Sequence, residues 1–245
     1  MVADRPYTVL SCCMSIDGYL SGPSDVRLLL SNPDDLDRVD EVRSTCDAIL
    51  VGARTVRVDN PRLLLRDPAR RARRVARGLA PSPAKVTVTA GAHLDPAAGF
   101  FTSGDGEKLV YCASPSLGKA RGRFGSLATV IDGGSAVNMC RLSHDLHDRG
   151  IGRLLVEGGA SIHTQFLTAD LADELDVAVA PFFVGDSRAR HFVGDGRFPW
   201  HPGHRATLAE VRQVGDVALM RYALSDRFET STERIPVNSL GARFA

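Results

Sequence analysis

The segment 153–161, RLLVEGGAS, decides how this chain folds. A short apolar run ends at Glu157, two glycines follow, and a helix is predicted from there to about Ala169. An apolar run of this length that passes through glycine into a helix is typical of a parallel strand buried on both faces. The segment therefore predicts one strand–turn–helix unit of an α/β sheet.

The same alternation extends along most of the chain. Helices are predicted at Asp34–Cys46, after the cap sequence Ser31-Asn32-Pro33, and at Ala136–Arg149. The stretch Ala206–Leu224 turns at Gly215-Asp216 and predicts an antiparallel hairpin at a sheet edge. Strands are predicted at Tyr7–Ser15, Asp47–Gly52, Ala84–Thr89, Lys108–Cys112, Leu127–Ile131 and Glu174–Phe183. We expect a single domain over 1–225 with a mostly parallel central sheet, and a polar C-terminal tail over 226–245.

Composition excludes several classes of protein. The 245 residues carry 30 Lys and Arg against 29 Asp and Glu, a net charge of +1, whereas a nucleic-acid-binding domain is usually strongly basic. No apolar run approaches the roughly 20 residues that a membrane helix needs, and the first residues do not resemble a secretory signal. The five cysteines include no Cys-x-x-Cys pair, so neither disulfides nor a metal site is expected. A cytoplasmic protein is predicted.

Two diglycine turns are candidates for binding a phosphate. In the first, Glu157 precedes Gly158 and Gly159; in the second, Asp132 precedes Gly133-Gly134. Glycine lets the backbone approach a ligand closely, and a helix start presents unpaired N–H groups. A tight turn that only needs positive φ explains each pair equally well, and glycine chemistry does not separate the two turns.

Two further stretches could bind anionic ligands. After the strand ending at Gly52, Arg54 and Thr55 could offer a guanidinium and a hydroxyl to a phosphate. Asp59-Asn60-Pro61, followed by Arg66, could bind a polar phosphorylated metabolite, although Asp and Asn before Pro also suit a capped loop.

An arginine run continues from Arg66 to Arg77, with six arginines in twelve positions. It could suggest DNA or RNA, but no aromatic residue is interleaved for base stacking. A solvated helix or loop face is the favoured interpretation, and contact of one arginine with an adenosine phosphate is the alternative.

Taken together in order, the motifs over residues 7–224 resemble the reductase domain of riboflavin biosynthesis, a family built on the dihydrofolate-reductase fold. The resemblance rests on Ser15-Ile16-Asp17-Gly18, Arg43, 47–52 (DAILVG), Thr55, Asp59-Asn60-Pro61, Leu63, Arg66, Val156-Glu157-Gly158-Gly159, Asp173-Glu174-Leu175, Ala180-Pro181 and Gly185. It implies a three-layer α/β/α fold and favours Gly158-Gly159 over Gly133-Gly134 as the phosphate cradle.

The resemblance also implies an activity: NADPH-dependent reduction of a ribosylaminopyrimidine 5′-phosphate to its ribitylamino form, with hydride reaching the former anomeric carbon. The implied cofactor-binding residues are Gly52, Arg54, Thr55, Gly158, Gly159, Ala160 and Ser161. The implied substrate-binding residues are Ser31, Arg43, Asp59, Leu63, Arg66 and Glu157, with Ser31 and Arg43 near the phosphate. Asp59 and Glu157 are the catalytic candidates, and we expect Asp59 to orient the substrate's polar groups or to manage a proton near the reacting carbon. A homodimer is also implied, with the edge hairpin as its surface.

Two departures from the family pattern bear on the substrate. Tyr19 follows Asp17-Gly18 where many members carry a lysine, so a cationic contact is missing or comes from another residue. The chain has no zinc-deaminase signature, which predicts a stand-alone reductase and leaves open a deaminated or a diamino pyrimidine. The alternatives are a pterin or folate reductase of the same fold and a non-catalytic NADPH-binding regulatory protein.

Overall fold

A computed structural model describes residues 4–24 and 26–228, and its core is one nine-stranded sheet. The strand order is β5-β4-β3-β2-β6-β1-β7-β9-β8. The strands are β1 (Tyr7–Ser15), β2 (Ala48–Gly52), β3 (Ala84–Thr89), β4 (Lys108–Cys112), β5 (Thr129–Asp132), β6 (Arg153–Val156), β7 (Glu174–Ala180), β8 (Thr207–Val214) and β9 (Val217–Ala223). The helices are α1 (Pro33–Ser44), α2 (Ala53–Asp59), α3 (Pro68–Ala76), α4 (Gly99–Thr102), α5 (Leu117–Phe124), α6 (Met139–Asp148) and α7 (Ala160–Thr168), with a 3₁₀ turn at Ser114–Ser116.

Strands β1 to β7 are parallel wherever they pair, and only the C-terminal hairpin introduces antiparallel pairs. Strand β6 lies between β1 and β2, so that Leu155 is in register with Val9 and with Ile49. Strand β9 pairs antiparallel with both β7 and β8. The mostly parallel sheet with an antiparallel C-terminal hairpin, predicted from the sequence, is confirmed.

Side chains alternate between the two faces of the sheet and build one apolar layer on each. Ile49, on the first face, packs in a cluster with Val42 of α1 and Val56 of α2. Leu50, its neighbour, packs on the opposite face with Phe166 of α7. Helices α4 and α5 cover the first face and α6 the second, which gives the predicted three layers.

Local capping signals fix where the main helices begin. The Asn32 side chain accepts a hydrogen bond from the Asp35 N–H at 2.8 Å, and Pro33 occupies the first turn of α1, as the sequence predicts. Asp67 and Asn138 cap α3 and α6 in the same way. Each such cap contributes about 1 kcal/mol.

Several of the predicted helix and strand boundaries are corrected by the structure. The strand predicted at Glu174–Phe183 ends at Ala180, because the Phe182 N–H turns back onto the Ala180 carbonyl at 2.8 Å. The helix predicted at Ala136–Arg149 begins only at Met139, after the Asn138 cap. Short helices occupy segments that the sequence analysis left unassigned, at α2, α3, α4 and α5. The predicted tail lies outside the described residues from residue 229 onward.

The arginine run is not a solvated face throughout. Arg70 and Arg74 are buried where α3 packs on α1. The Arg70 guanidinium bonds Asp37 at 2.6 and 2.8 Å and Asp40 at 3.1 Å. Arg74 donates to main-chain carbonyls at the C-terminal end of α1 and just after it. Acidic side chains of α1 for Arg70, and these carbonyls for Arg74, therefore explain the two arginines as part of the packing of α3 on α1, and the expectation of a solvated face was wrong for them.

Candidate active site

The main cleft opens where two neighbouring parallel strands send their helices to opposite faces of the sheet. Helix α2 follows β2 on one face, and α7 follows β6 on the other. A crevice forms at such a switch point, beyond the carboxyl ends of the strands. The cleft there has a volume of about 620 Å³. Open α/β sheets bind their ligands at this position, so the cleft is the candidate binding site.

Most of the predicted cofactor residues line this cleft together. Its wall includes Gly52, Arg54, Thr55, Gly159, Ala160 and Ser161. Gly158 lies directly behind it, where its carbonyl accepts the Gly52 N–H at 2.7 Å. The β2–α2 and β6–α7 turns are thus hydrogen-bonded to each other, and two motifs separated by a hundred residues form one surface.

Glycine is required at the contact between these turns. A Cβ at Gly52 would lie 2.9 Å from Cγ1 of Ile162, and a Cβ at Gly158 would lie 2.5 Å from Nε2 of His163. Gly158 also has a φ of +94°, which side chains rarely adopt, and its bond to Gly159 is cis. The backbone approaches this closely only because both side chains are absent.

Helix α7 presents a bare N-terminus to the cleft. Its N-cap is Gly159, and no side chain of the described residues caps it. The first N–H groups of the helix have no intrahelical acceptor and carry the positive end of the helix dipole. An anionic group at this point, such as a pyrophosphate, accepts hydrogen bonds from these N–H groups and is attracted by the positive end of the dipole. The residues therefore fit a phosphorylated dinucleotide.

Glu157 and Arg43 form a close pair beside the cleft. The guanidinium donates through Nε and Nη2 to the two carboxylate oxygens, both at 2.7 Å, and Nη1 reaches the Leu64 carbonyl at 3.3 Å. Burial opposes the charged form of Arg43, but the Glu157 carboxylate raises the Arg43 pKa above its ordinary value. Glu157 lines the cleft and Arg43 stands behind it, so the carboxylate is held in one orientation.

Asp59 lines the same cleft at the end of α2. Burial raises the pKa of its carboxyl above the ordinary value, while the charges of Arg27 and Arg54 act in the opposite direction. A carboxyl in this setting holds a proton more readily than one in water. Asp59 and Glu157, the two catalytic candidates, are thus brought to one cleft.

The other predicted substrate residues divide between the cleft and the body of the protein. Ser31 lines the cleft. The structure does not bring Leu63 and Arg66 to it. Leu63 is buried in the apolar layer with a φ of +50°, and Arg66 donates from its side chain to the Leu36 carbonyl and from its backbone to Asp40. Both fix the loop after α2 against α1.

Sequence analysis missed part of the cleft wall. Residues 20, 21, 24 and 26–30 supply much of it, including Arg27, and Arg190 enters from the long connection between β7 and β8. Neither arginine lies in a motif, so no local signal marks them. The far end of the cleft is lined by 135–137, directly after the second diglycine turn.

His163 was missed as well, although the sequence carried a signal for it. It sits in α7 on the face of the apolar residues Ile162 and Phe166. Its ring is fully buried, and both ring nitrogens lack a hydrogen-bond partner within the described part of the chain. Burial lowers the pKa of the imidazole to about 4, so the ring is neutral at physiological pH. It packs 5.3 Å from the Phe192 ring and supports the Gly158 turn from below.

Residues 4–24 and 26–228 contain neither a metal-binding cluster nor a membrane-spanning helix. No group of three or more His, Cys, Asp or Glu side chains is arranged to hold a metal ion there. No helix in those ranges is long and apolar enough to cross a membrane.

Comparison with known proteins gives consistent matches. Residues 6–220 match the family model of the RibD C-terminal domain. A protein of Methanothermobacter thermautotrophicus named 2,5-diamino-6-ribosylamino-4(3H)-pyrimidinone 5′-phosphate reductase is 33% identical over 226 residues, covering 90% of this chain and 99% of that protein. A protein of Archaeoglobus fulgidus with the same name is 31% identical over 182 residues, covering 74% of this chain and 83% of that one.

Among solved structures, a pyrimidine reductase-like protein of Corynebacterium diphtheriae superposes with a TM-score of 0.76 at 20% identity. The match covers 89% of this chain and 91% of that one. This likeness confirms the predicted fold class.

Proposed function

Since the chain belongs to the RibD C-terminal domain family, we propose that it is an NADPH-dependent reductase of riboflavin biosynthesis. Its substrate would be a ribosylaminopyrimidine 5′-phosphate and its product the ribitylamino form. One observation carries the proposal: a bare helix N-terminus and two carboxylates share the crevice between β2 and β6. The first suits the phosphates of a dinucleotide, and the second suits the polar groups of a reacting sugar.

The proposed reaction is a balanced reduction of a carbon–nitrogen double bond. The sugar ring opens to give an imine at the former anomeric carbon. When bound, the reduced nicotinamide cofactor would supply a hydride to that carbon and be released in its oxidised form. The imine nitrogen gains a proton, so one C–H and one N–H bond replace the second bond between carbon and nitrogen. The protein's contribution is to hold both reactants and to control that proton.

On this proposal the cofactor phosphates would lie at the N-terminus of α7, which begins at Gly159. Thr55 faces that turn: a Cβ on Gly159 would lie 3.6 Å from its hydroxyl oxygen. Arg54, beside it in the cleft wall, would add a positive charge. A hydroxyl, a guanidinium and helix N–H groups together suit a pyrophosphate.

Asp59 and Glu157 would act on the substrate half. The raised pKa of Asp59 suits a group that holds or passes a proton near the reacting nitrogen. Glu157, fixed by Arg43, would accept hydrogen bonds from substrate hydroxyl or amino groups. Two carboxyl groups in different surroundings can take these two different roles.

We further propose that the diamino pyrimidine is the natural substrate, because the relatives at 33% and 31% identity carry that substrate in their names. The test is a steady-state assay of NADPH oxidation with the diamino compound, the deaminated compound and dihydrofolate in parallel. We expect the highest kcat/KM with the diamino compound and lower kcat/KM with NADH than with NADPH. Turnover of dihydrofolate alone would support the pterin alternative. NADPH binding without turnover of any substrate would support the regulatory alternative.

The cytoplasm, which supplies the cofactor, is the proposed location of the reaction.

A homodimer built through the hairpin is the proposed assembly. Strand β8 is the outer strand of the sheet, and it exposes Leu208 and Val211, with 52% and 60% of their surface accessible. An apolar outer strand of this kind is usually covered by a partner. Light scattering at several concentrations tests this, and a mass that stays monomeric throughout would count against it.

A further inference from the structure

Arginines are prominent among the described charged residues that line the cleft. They are Arg27, Arg54 and Arg190, beside the carboxyl groups of Asp59 and Glu157. Arg43 already neutralises Glu157. Guanidinium groups in the wall of a cleft attract phosphorylated ligands and concentrate them there.

Arg190 differs from the other arginines of its loop. Arg188, two residues earlier, forms an ion pair with Asp186 at 2.7 Å and is not among the residues that line the cleft. Arg190 faces the cleft, and among the described residues its side chain has no hydrogen-bond or carboxylate partner. A guanidinium exposed to a cleft without a protein partner is available for a ligand.

The backbone around Arg190 is firmly held even though its side chain is free. The Leu20 N–H donates to the Arg190 carbonyl at 2.7 Å, and the Phe192 N–H donates to the Gly18 carbonyl at 3.0 Å. Between them the rings of Tyr19 and His191 stack with their centroids 4.1 Å apart. This short bridge ties the loop to the segment after β1, so the position of Arg190 relative to the cleft is fixed.

Both arginines assigned to the substrate from the sequence already have partners within the protein. Arg43 is engaged by Glu157 and the Leu64 carbonyl, and Arg66 is engaged by the Leu36 carbonyl of α1. Neither is among the residues that line the cleft. Tyr19, at the end of the first motif, supplies no charge and is stacked on His191. The pyrophosphate of the cofactor already has the N-terminus of α7, with Arg54 and Thr55 nearby.

We propose that Arg190 binds a phosphate group in the cleft and that this group is the 5′-phosphate of the substrate. The inference rests on the proposed function and adds a substrate-recognition residue to it. Arg27 is the other cation of the wall without a hydrogen-bond or ion-pair partner in the described ranges, but its charge interacts with the Asp59 carboxyl, as that of Arg54 does. Arg190 forms no ion pair with a carboxyl group of the described residues.

The test compares Arg190→Gln with Arg188→Gln, its matched control in the same loop. Calorimetry measures the binding of ribose 5-phosphate to the NADPH-loaded protein and, separately, the binding of NADPH. We expect Arg190→Gln to raise the Kd of ribose 5-phosphate by about 10- to 100-fold, which corresponds to the loss of a charge-assisted hydrogen bond. The Kd of NADPH should stay within about 2-fold of the wild-type value. Arg188→Gln should change neither, and Arg190→Lys should restore part of the loss. Because the Arg190 side chain forms no hydrogen bond or ion pair with a described residue, the thermal midpoint should not move.

Each other outcome overturns the inference in a distinguishable way. Equal binding of ribose 5-phosphate by wild type and Arg190→Gln overturns it and leaves the proposed function intact. A loss confined to NADPH assigns Arg190 to the cofactor phosphates and overturns the substrate assignment. The same loss in Arg27→Gln but not in Arg190→Gln moves the phosphate to Arg27. Failure of the wild type to bind ribose 5-phosphate and to turn over any phosphorylated pyrimidine overturns the proposed function and this inference together.

Discussion

The two diglycine turns, Gly158-Gly159 and Gly133-Gly134, look alike in sequence and differ in the structure. Each follows a parallel strand, each has an acidic residue directly before it, and each is followed directly by residues that line the cleft. The first, however, ends β6 in the middle of the sheet, and the second ends β5 at its edge. A turn in the middle of a sheet has neighbours on both sides that can supply the rest of a site.

The helix starts differ as well. Gly159 is itself the N-cap of α7, which leaves the first N–H groups open to a ligand. After Gly134 the chain runs on to Asn138, whose side chain caps α6 by accepting the Arg141 N–H at 3.0 Å. A capped helix start has already used part of its anion-binding capacity on its own protein.

The acidic residues are also used differently. Glu157 is bound by Arg43, 114 positions away in sequence, and faces the cleft. Asp132 accepts hydrogen bonds from Ser114 and from the Gly134 N–H of its own turn, so it stabilises the local loop. What makes one turn a binding site is therefore the position in the sheet, the missing cap and a distant arginine, rather than glycine itself.

The largest expected difference is between Glu157→Gln and Asp132→Asn, which remove the same charge from the residue before each diglycine. Glu157→Gln leaves Arg43 without its anion and the cleft without an oriented carboxylate. We expect kcat/KM to fall by about 100-fold, the lower end of the range for a positioned acid–base group. Asp132→Asn should stay within about 2-fold of the wild type. Steady-state NADPH oxidation measures both, and equal losses would remove the distinction between the turns.

The next effect in size concerns Gly158→Ala and Gly134→Ala. Both glycines have positive φ, +94° and +100°, so both substitutions should cost about 1–2 kcal/mol of backbone strain. At Gly158 the new Cβ also meets His163 at 2.5 Å, whereas at Gly134 the nearest atom is 3.3 Å away. We expect Gly158→Ala to weaken NADPH by about 10-fold or more by displacing α7, and Gly134→Ala to leave it unchanged.

Calorimetry measures the change in NADPH affinity, and a denaturant melt measures the change in the free energy of unfolding. Adding His163→Ala to Gly158→Ala removes the collision, so the double variant should lose less stability than the sum of the losses in the two single variants. Additive losses would mean that the collision with His163 is not the cause.

How much of this comparison the sequence could predict depends on the range of the interactions. Residues close together in the chain predict the cap at Asn32-Pro33 and the hairpin turn at Gly215-Asp216. They also predict the order of the strands and helices along the chain, though not the order of the strands within the sheet. Most of the residues to which the family resemblance pointed line the cleft, including Asp59 and Glu157.

The rest depends on contacts between distant segments. Nothing near Arg43 in sequence shows that its partner is Glu157, and nothing near Arg190 shows that its loop is tied to the segment after β1. Leu63 and Arg66 match the family motif, yet their loop packs on α1 and neither residue is among those that line the cleft. Such outcomes are decided by tertiary packing, which local patterns do not record.

A smaller effect is expected at the helix caps. Gly159→Asp adds a cap and a negative charge at the N-terminus of α7, and its Cβ has room, with Thr55 Oγ1 at 3.6 Å. We expect the protein to gain up to about 1 kcal/mol of stability and NADPH to bind about 10-fold more weakly, because the new carboxylate occupies the anion site. Asn138→Ala, at α6, should lose about 1 kcal/mol with unchanged NADPH affinity. A Gly159→Asp protein that binds NADPH normally would contradict the assignment of the pyrophosphate to α7.

The smallest effect is a difference in pH dependence. Hydrogen bonds from Ser114 and the Gly134 N–H lower the pKa of Asp132 below its ordinary value. Its contribution to stability is therefore present above the unfolded-state pKa of about 4 and is lost as the pH falls through the folded-state value. Asp132→Asn should make the thermal midpoint fall less steeply on acidification below that pH, with no change in activity at neutral pH. Identical slopes for both proteins would show that the turn does not use its carboxylate.

The central claim is that this cleft delivers a hydride from NADPH to the former anomeric carbon of a ribosylaminopyrimidine phosphate. Mass spectrometry of the product formed from NADPH deuterated at the transferable position tests it most directly. We predict one deuterium per product molecule, located on the first carbon of the ribityl chain, and a sharp reduction of this labelled product with Glu157→Gln. A product without deuterium at that carbon, or consumption of NADPH with dihydrofolate only, would contradict the claim.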